Sequence, residues 1–198
     1  MVSRESYRTF IAVALPRDAR RSVLEHIQSL RNKLPDARAN WSRDDNLHLT
    51  LKFLGDTPIK RITALSNATE RVARKTNRFD IEISGCGAFP AHKRPTVLWL
   101  GINDQSGDLS ELHRTLEYEC LKADFPRESK AFHPHLTIAR TRKTDGAREL
   151  GEAHAAVGFA PHLFTVHEVI VFRSELFSDG AKHTVVSRHR LRSPECPG

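Results

Sequence analysis

Cysteine is scarce in this chain. Cys86, Cys120 and Cys196 are the only three. An odd number with no paired spacing builds neither a disulfide framework nor a thiolate zinc site, and it suits a reducing compartment. Each is expected to be a small buried or surface thiol. No apolar run approaches the ~20 residues needed to span a bilayer. The opening residues carry Arg4 and Glu5 and lead straight into a strand-like run, without the apolar stretch and small-residue cleavage site of a secretory signal. A cytoplasmic protein with no membrane partner is therefore expected. Acidic residues are outnumbered, 24 against 31 Lys and Arg, which leaves a formal net charge of +7. A basic surface attracts polyanions and raises their encounter rate, nucleic acid first among them. The charge is spread along the chain, and its densest run, Arg140 to Lys143 with Arg148, reads equally well as a solvated face.

What is present points to a folded chain. Hydrophobic residues make up 39% and charged residues 28%, too apolar for disorder. A length of 198 residues suits a single unit of two similar lobes, spanning residues 1–198. Thr9 to Leu15 is a short apolar, partly β-branched run and reads as a strand. Pro16 and Asp18 end it and open a helix from about Arg17 to Lys33, with Val23, Ile27, Leu30 and Leu34 on one face. Asn46 to Leu54 alternates, with Leu47, Leu49, Leu51 and Phe53 on one side and His48, Thr50 and Lys52 on the other. Ile59 to Lys75 reads as a second helix, facing the core with Ile62, Leu65, Ala68 and Val72. Phe79 to Ile83 and Thr96 to Ile102 read as strands. Leu109 to Leu121 reads as a helix with Leu109, Leu112, Leu116 and Cys120 on one stripe. Phe132 to Ala139 is a further strand. A short helix is expected within Arg140 to Ala156, and two last strands over Phe164 to Phe172 and Thr184 to His189, joined across Ser178–Asp179–Gly180. The order resembles a duplicated α+β unit.

One pattern occurs twice, at equivalent places in the two halves. His48–Leu49–Thr50–Leu51 is matched 87 positions later by His135–Leu136–Thr137–Ile138. On a strand, residues i and i+2 project the same way, about 6.5–7 Å apart. The aliphatic residues can then be buried under helices while His and Thr line a cleft. Two lobes packed face to face would bring two imidazoles and two hydroxyls together. That set suits cleavage of a cyclic phosphodiester, where water loses a proton and the leaving ribose oxygen gains one. With an unperturbed pKa near 6.5, an imidazole pair holds one neutral and one protonated member near neutral pH. Each transfer contributes roughly 10²–10⁴ in rate, and hydroxyls can steady the charge on the non-bridging oxygens.

The paired motifs resemble the H-x-T-x signatures of the two-histidine (2H) phosphoesterase superfamily. The flanking sequence is most similar to its RNA 2′,3′-cyclic phosphodiesterase family, also called 2′-5′ RNA ligase. The resembling segments are RTFIAVALP, NLHLTLKFLGD, TVLWLGI, FHPHLTIAR, and FRSEL with DGAKHTVV, which together run along nearly the whole chain. The resemblance implies two antiparallel lobes, helices outside, around a central cleft. It implies hydrolysis of RNA or nucleotide 2′,3′-cyclic phosphate ends to a 2′-phosphate, with no metal and no cofactor, and reversible 2′-5′ ligation as a side activity. His48 would be the proton donor and His135 the acceptor, although residue identity alone allows the swap. Thr50 and Thr137 would bind phosphate. The family pattern extends the second motif to an arginine, here Arg140, but strict alternation puts Arg140 on the opposite face from His135 unless the strand bends. One departure is visible: the family often carries Tyr where this chain has His183. That is expected to affect the cleft rim or base recognition without touching either motif.

The bland readings sit beside these. His133–Pro134–His135 is an H-x-H, but two ligands make no metal site. The remaining histidines are expected at the surface or in packing. Phe10, Trp41 and Trp99 could stack on a base, with packing the favoured reading. Lys52 could reach phosphate or simply be an exposed strand lysine. A monomer is expected. The rival function is a nucleotide- or RNA-binding module that uses the same cleft without turnover.

Overall fold

The computed structural model describes residues 5–141, 146–177 and 180–193. The basic residues Arg142 and Lys143, the turn residues Ser178 and Asp179, Cys196 and the opening residues 1–4 lie outside these segments. The first strand, β1 (Ser6–Ala14), has Phe10 to Val13 buried in succession, as a strand covered on both faces requires. Pro16 stands at the N-cap of α1 (Arg17–Lys33), with Asp18 in the first turn and Arg31 and Lys33 in the last, which matches the helix dipole. Ala19, Val23, Ile27 and Leu30 form its buried stripe. The short β2 (Ala39–Trp41) and a 3-10 turn (Asp44–Asn46) lead to β3 (His48–Pro58).

A second 3-10 turn (Ile59–Arg61) opens α2 (Ile62–Ala73), which buries Leu65, Ala68 and Val72 as expected. Then come β4 (Phe79–Phe89), β5 (Val97–Asn103) and α3 (Asp108–Lys122). The α3 stripe of Leu109, Leu112, Leu116 and Cys120 is entirely buried. Each buried leucine of these stripes contributes about 1.5–3 kcal/mol over an exposed one. The chain continues through β6 (His135–Thr141), α4 (Ala147–Val157), β7 (His162–Val166), β8 (Glu168–Phe177) and β9 (Gly180–Arg190).

The strands form two antiparallel sheets, ordered β3-β1-β8-β9 and β2-β6-β5-β4-β7. The α+β class with two sheets is as expected, but the halves of the sequence do not map onto the lobes. The first sheet joins β1 and β3 from the first half to β8 and β9 from the end of the chain. The apparent single strand Phe164 to Phe172 is where the chain changes lobe. β7 pairs with β4, β8 pairs with β1, and His167 lies between. Buried residues on both sides, Phe164 and Val166 then Val169 to Val171, make the run look continuous in sequence. α1 and α4 pack together against the second sheet, whereas α2 packs on β8 and β9 of the first.

Candidate active site

Both motifs begin their strands, His48 at the start of β3 and His135 at the start of β6. The two strands approach one another to within 8 Å, Cα to Cα, where the sheets meet. The segment between β2 and β3 ties them together. β2 pairs with β6, opposing Ala39 to Thr141 and Trp41 to Ala139. Just beyond, the Ser42 hydroxyl donates to the Thr137 carbonyl at 2.8 Å, and its N–H to the Ile138 carbonyl at 2.9 Å. The chain enters the His48 strand while still bonded to the His135 strand. A three-residue strand carries too few alternations to show in sequence, yet it sets the spacing of the two motifs.

The strict alternation read from the sequence breaks at the same point of both motifs. In β3, Thr50 opposes Ala12 and Lys52 opposes Ile11, leaving Leu51 as an extra residue. In β6, Thr137 opposes Trp99 and Ala139 opposes Leu98, leaving Ile138 as the extra residue. A β-bulge inverts the faces beyond it. Leu51 and Lys52 are therefore both buried, as are Ile138 and Ala139, and Phe53 and Arg140 are exposed. This corrects two expectations. Arg140 returns to the side of His135 and Thr137, and Phe53 rather than Lys52 shares the side of His48 and Thr50. Lys52 is 2% exposed, and its ammonium donates to Glu117 Oε1 at 2.5 Å and to the Pro126 carbonyl at 2.9 Å. It faces the interior and offers nothing to a phosphate. Phe53, at the position matching Arg140, lies under the Arg8 guanidinium at 4.9 Å.

Each motif histidine is oriented from two residues upstream. His135 Nδ1 lies 2.6 Å from the His133 carbonyl, and a ring nitrogen of His48 bonds the backbone carbonyl of Asn46. A carbonyl can only accept, so the bonded nitrogen carries the proton and the other is left for chemistry. His133 thus serves His135 through its carbonyl, which is the role of the H-x-H. Asn46 and His133 were missed in the sequence. The signal was their shared place two residues before each motif.

Aromatic rings back both histidines. His48 stacks on Phe10 at 4.7 Å, with Phe172 at 6.1 Å and His183 edge-on at 5.2 Å. His183 also meets Phe10 edge-on at 4.9 Å. The expectation that His183 touches neither motif is wrong. Two strands, β1 and β8, separate β9 from β3, but the first sheet carries both side chains to one face. Burial lowers the His48 pKa to about 4, with repulsion from His183 adding to it and the Asn46 carbonyl opposing it. His183 is itself pushed down by burial, against the pull of Asp45. On the other lobe His135 meets Phe89 edge-on at 5.3 Å and Trp99 at 6.1 Å. Trp99 has room only because residue 87 is glycine, where a Cβ would sit 2.0 Å from the indole. Phe10 is 3% exposed and supports His48 rather than offering a stacking face. Trp41 and Trp99 are half-buried.

One group of three metal-capable side chains stands among the described residues. Ligand atoms of His26, Cys86 and His154 lie within 4.8 Å of one another. The His154 ring is already occupied on both nitrogens, by His26 Nε2 at 3.1 Å and the Trp99 carbonyl at 3.0 Å. Burial lowers the His26 pKa to about 4 and raises the Cys86 thiol to about 11. His26 and His154 form a hydrogen-bonded pair of rings whose far end meets β5 at the Trp99 carbonyl. None of the three lies on β3 or β6. No described helix is long and apolar enough to cross a membrane.

Comparisons with known proteins show the family. The profile of the 2′-5′ RNA ligase superfamily matches residues 16–176. An RNA 2′,3′-cyclic phosphodiesterase of Geobacillus stearothermophilus is 28% identical over 94% of this chain, which spans 58% of that protein's length. One from Aquifex aeolicus is 34% identical, covering 76% of this chain and 81% of the relative. The crystal structure of Escherichia coli LigT with 3′-AMP superposes with a TM-score of 0.72 at 27% identity, over 94% of this chain and 99% of LigT. With both motifs at strand starts, the shared bulges and a profile spanning most of its length, this chain belongs to the 2′-5′ RNA ligase superfamily.

Proposed function

We propose that this protein hydrolyses the 2′,3′-cyclic phosphate of an RNA or nucleotide end to a 2′-phosphate, with His48 and His135 as its acid–base pair and no metal ion. The observation that carries the reading is the matched seating of the two imidazoles. Each begins a strand, each is held by a carbonyl two residues upstream, and the two strands meet. A binding cleft would need neither the match nor the free ring nitrogens. The names of the relatives from Geobacillus and Aquifex, and the nucleotide in LigT, support the substrate class.

The step balances with residues of this chain. Water attacks phosphorus as His135 takes its proton. The bond from phosphorus to the 3′-oxygen breaks, and His48 returns a proton to that oxygen. Thr50 and Thr137 donate to the non-bridging oxygens, and Arg140 supplies positive charge on the His135 side. Each lobe supplies one histidine, so a single copy over residues 1–198 completes the site and a monomer is the expected working unit.

The low pKa of His48 favours a second reading, in which the roles are exchanged. An imidazole with a pKa of about 4 is neutral at pH 7 and ready to accept a proton. The donor assignment requires the anionic phosphate to raise that pKa as it binds. The two readings separate on a substrate whose leaving 3′-oxygen is replaced by sulfur. Thiolate leaves without a proton, so the variant lacking the donor loses little on that substrate, and the variant lacking the acceptor still fails.

The first test is a nucleoside 2′,3′-cyclic phosphate incubated with the protein in EDTA, with the product isomer read by NMR. A 2′-phosphate is expected. Binding without turnover would replace this reading with the binding module, and a 3′-phosphate would mean that the other oxygen leaves.

A further inference from the structure

We propose that His183 is a positioning residue for His48: it holds the His48 ring in the cleft and makes its protonation depend on a bound phosphate. The inference rests on the acid–base role proposed above for His48. Three structural features carry it. The His183 ring stands edge-on to His48 at 5.2 Å and to Phe10 at 4.9 Å, so His48 is clasped between Phe10 on one face and His183 on an edge. Asn46 then binds the two strands involved into one piece. Its backbone carbonyl takes the His48 ring, and its side-chain Nδ2 donates at 2.9 Å to the carbonyl of Ala181, two residues before His183. One residue thus contacts both the His48 ring and the strand of His183. Finally, Nδ1 of His183 is buried without a hydrogen-bond partner among the described residues. Such a nitrogen is normally satisfied, and here it stands in the cleft beside a proton-transferring ring.

The surroundings decide what the contact does. The titratable and charged groups on this face are His48 on β3, Asp45 in the 3-10 turn and Arg8 on β1, which lies in the cross-strand row of Ser174 and His183 with its guanidinium over Phe53. Phe10 on β1 and Phe172 on β8 bring no charge. On its own hairpin, Glu175 and Lys182 form the next cross-strand pair and so point to the opposite face. Two neighbouring imidazoles in a half-buried cleft resist carrying charge together. In the empty site burial, with this repulsion added to it, keeps His48 neutral. A phosphate anion between the lobes supplies the missing counter-charge, and His48 takes up a proton from solvent as the anion binds. A tyrosine at this position would keep an aromatic ring but bring no charge near neutral pH, so it would lack this coupling.

The test compares the wild type with His183→Phe and His183→Tyr, the latter keeping the ring and the family residue. The His48 ring is titrated by NMR with and without inorganic phosphate, alongside the pH dependence of kcat/KM on a nucleoside 2′,3′-cyclic phosphate. The His48 midpoint in the free protein should rise by about one pH unit in both variants. The limb of the rate profile that belongs to His48 should move up with it, and phosphate should shift the variants' midpoint less than the wild type's. An unchanged His48 midpoint in both variants, with folding intact, overturns the proposal. Because the NMR midpoint is read without turnover, it decides the matter even if the wild type proves inactive, an outcome that would remove only the proposed hydrolysis.

Discussion

The two motif strands are nearly the same device in different surroundings. β3 and β6 share H-x-T-x, a bulge at the fourth residue, and a carbonyl two residues upstream that holds the histidine. Past the bulge they diverge. The first lobe has a buried Lys52 and an exposed Phe53 where the second has Ala139 and Arg140. Around the histidines they diverge again, since His48 is stacked among Phe10, Phe172 and His183 while His135 leans on Phe89 and Trp99. A repeated motif can thus supply equal geometry while the lobes make the chemistry unequal. That inequality fixes which imidazole holds the proton, whereas an equal pair would divide its one proton between two equivalent forms.

The largest expected effect comes from removing either member of the pair. His48→Ala and His135→Ala should each lower kcat by about 10²–10⁴-fold, with circular dichroism showing the fold retained. Near wild-type turnover in either variant would break the comparison at its root. Next come the hydroxyls. Thr50→Val and Thr137→Val keep the strand-forming shape and remove one donor each, for an expected loss of about 10²-fold in kcat. If only one of them matters, phosphate binds to one lobe rather than between the two. Arg140→Ala tests the asymmetry beyond the bulge. It should weaken phosphate competition, whereas Phe53→Ala at the matching position should leave that competition unchanged.

Much of this architecture is legible in the sequence. The buried stripes of α1, α2 and α3 repeat at helical spacing, and the two motifs stand out because each pairs a histidine with a threonine on an alternating strand. The parts that were not legible share a physical cause, since they depend on the partner strand. Nothing local in Leu51 or Ile138 announces a bulge, because the extra residue exists only relative to Ala12 and Ile11, or to Trp99 and Leu98. The misplacement of Lys52 and the doubt over Arg140 both followed from that. The lobe change at His167 is hidden because apolar residues continue on both sides of it, Phe164 and Val166 before and Val169 to Val171 after. The contact of His183 with His48 joins residues 135 positions apart through the pairing of β9 with β8 and β8 with β1. Sequence proximity could not reveal it.

The smallest expected effect on catalysis, though not on stability, lies at Lys52, where the lobes differ most in the interior. Its charge is buried and compensated by Glu117, which is 13% exposed, and by the Pro126 carbonyl. Removing one partner strands the other, so Glu117→Ala should cost about 3–5 kcal/mol in unfolding free energy. Replacing both with apolar residues of similar volume, Lys52→Met with Glu117→Leu, should recover most of that loss, because neither charge is then desolvated. The second lobe manages with Ala139 at the corresponding place, so the first lobe does not need a charge there to form its bulge. Denaturant unfolding of the single and double variants measures the coupling directly. A double variant as unstable as Glu117→Ala alone would mean that the pair holds the strand in register, and that the first bulge, unlike the second, depends on a buried ion pair.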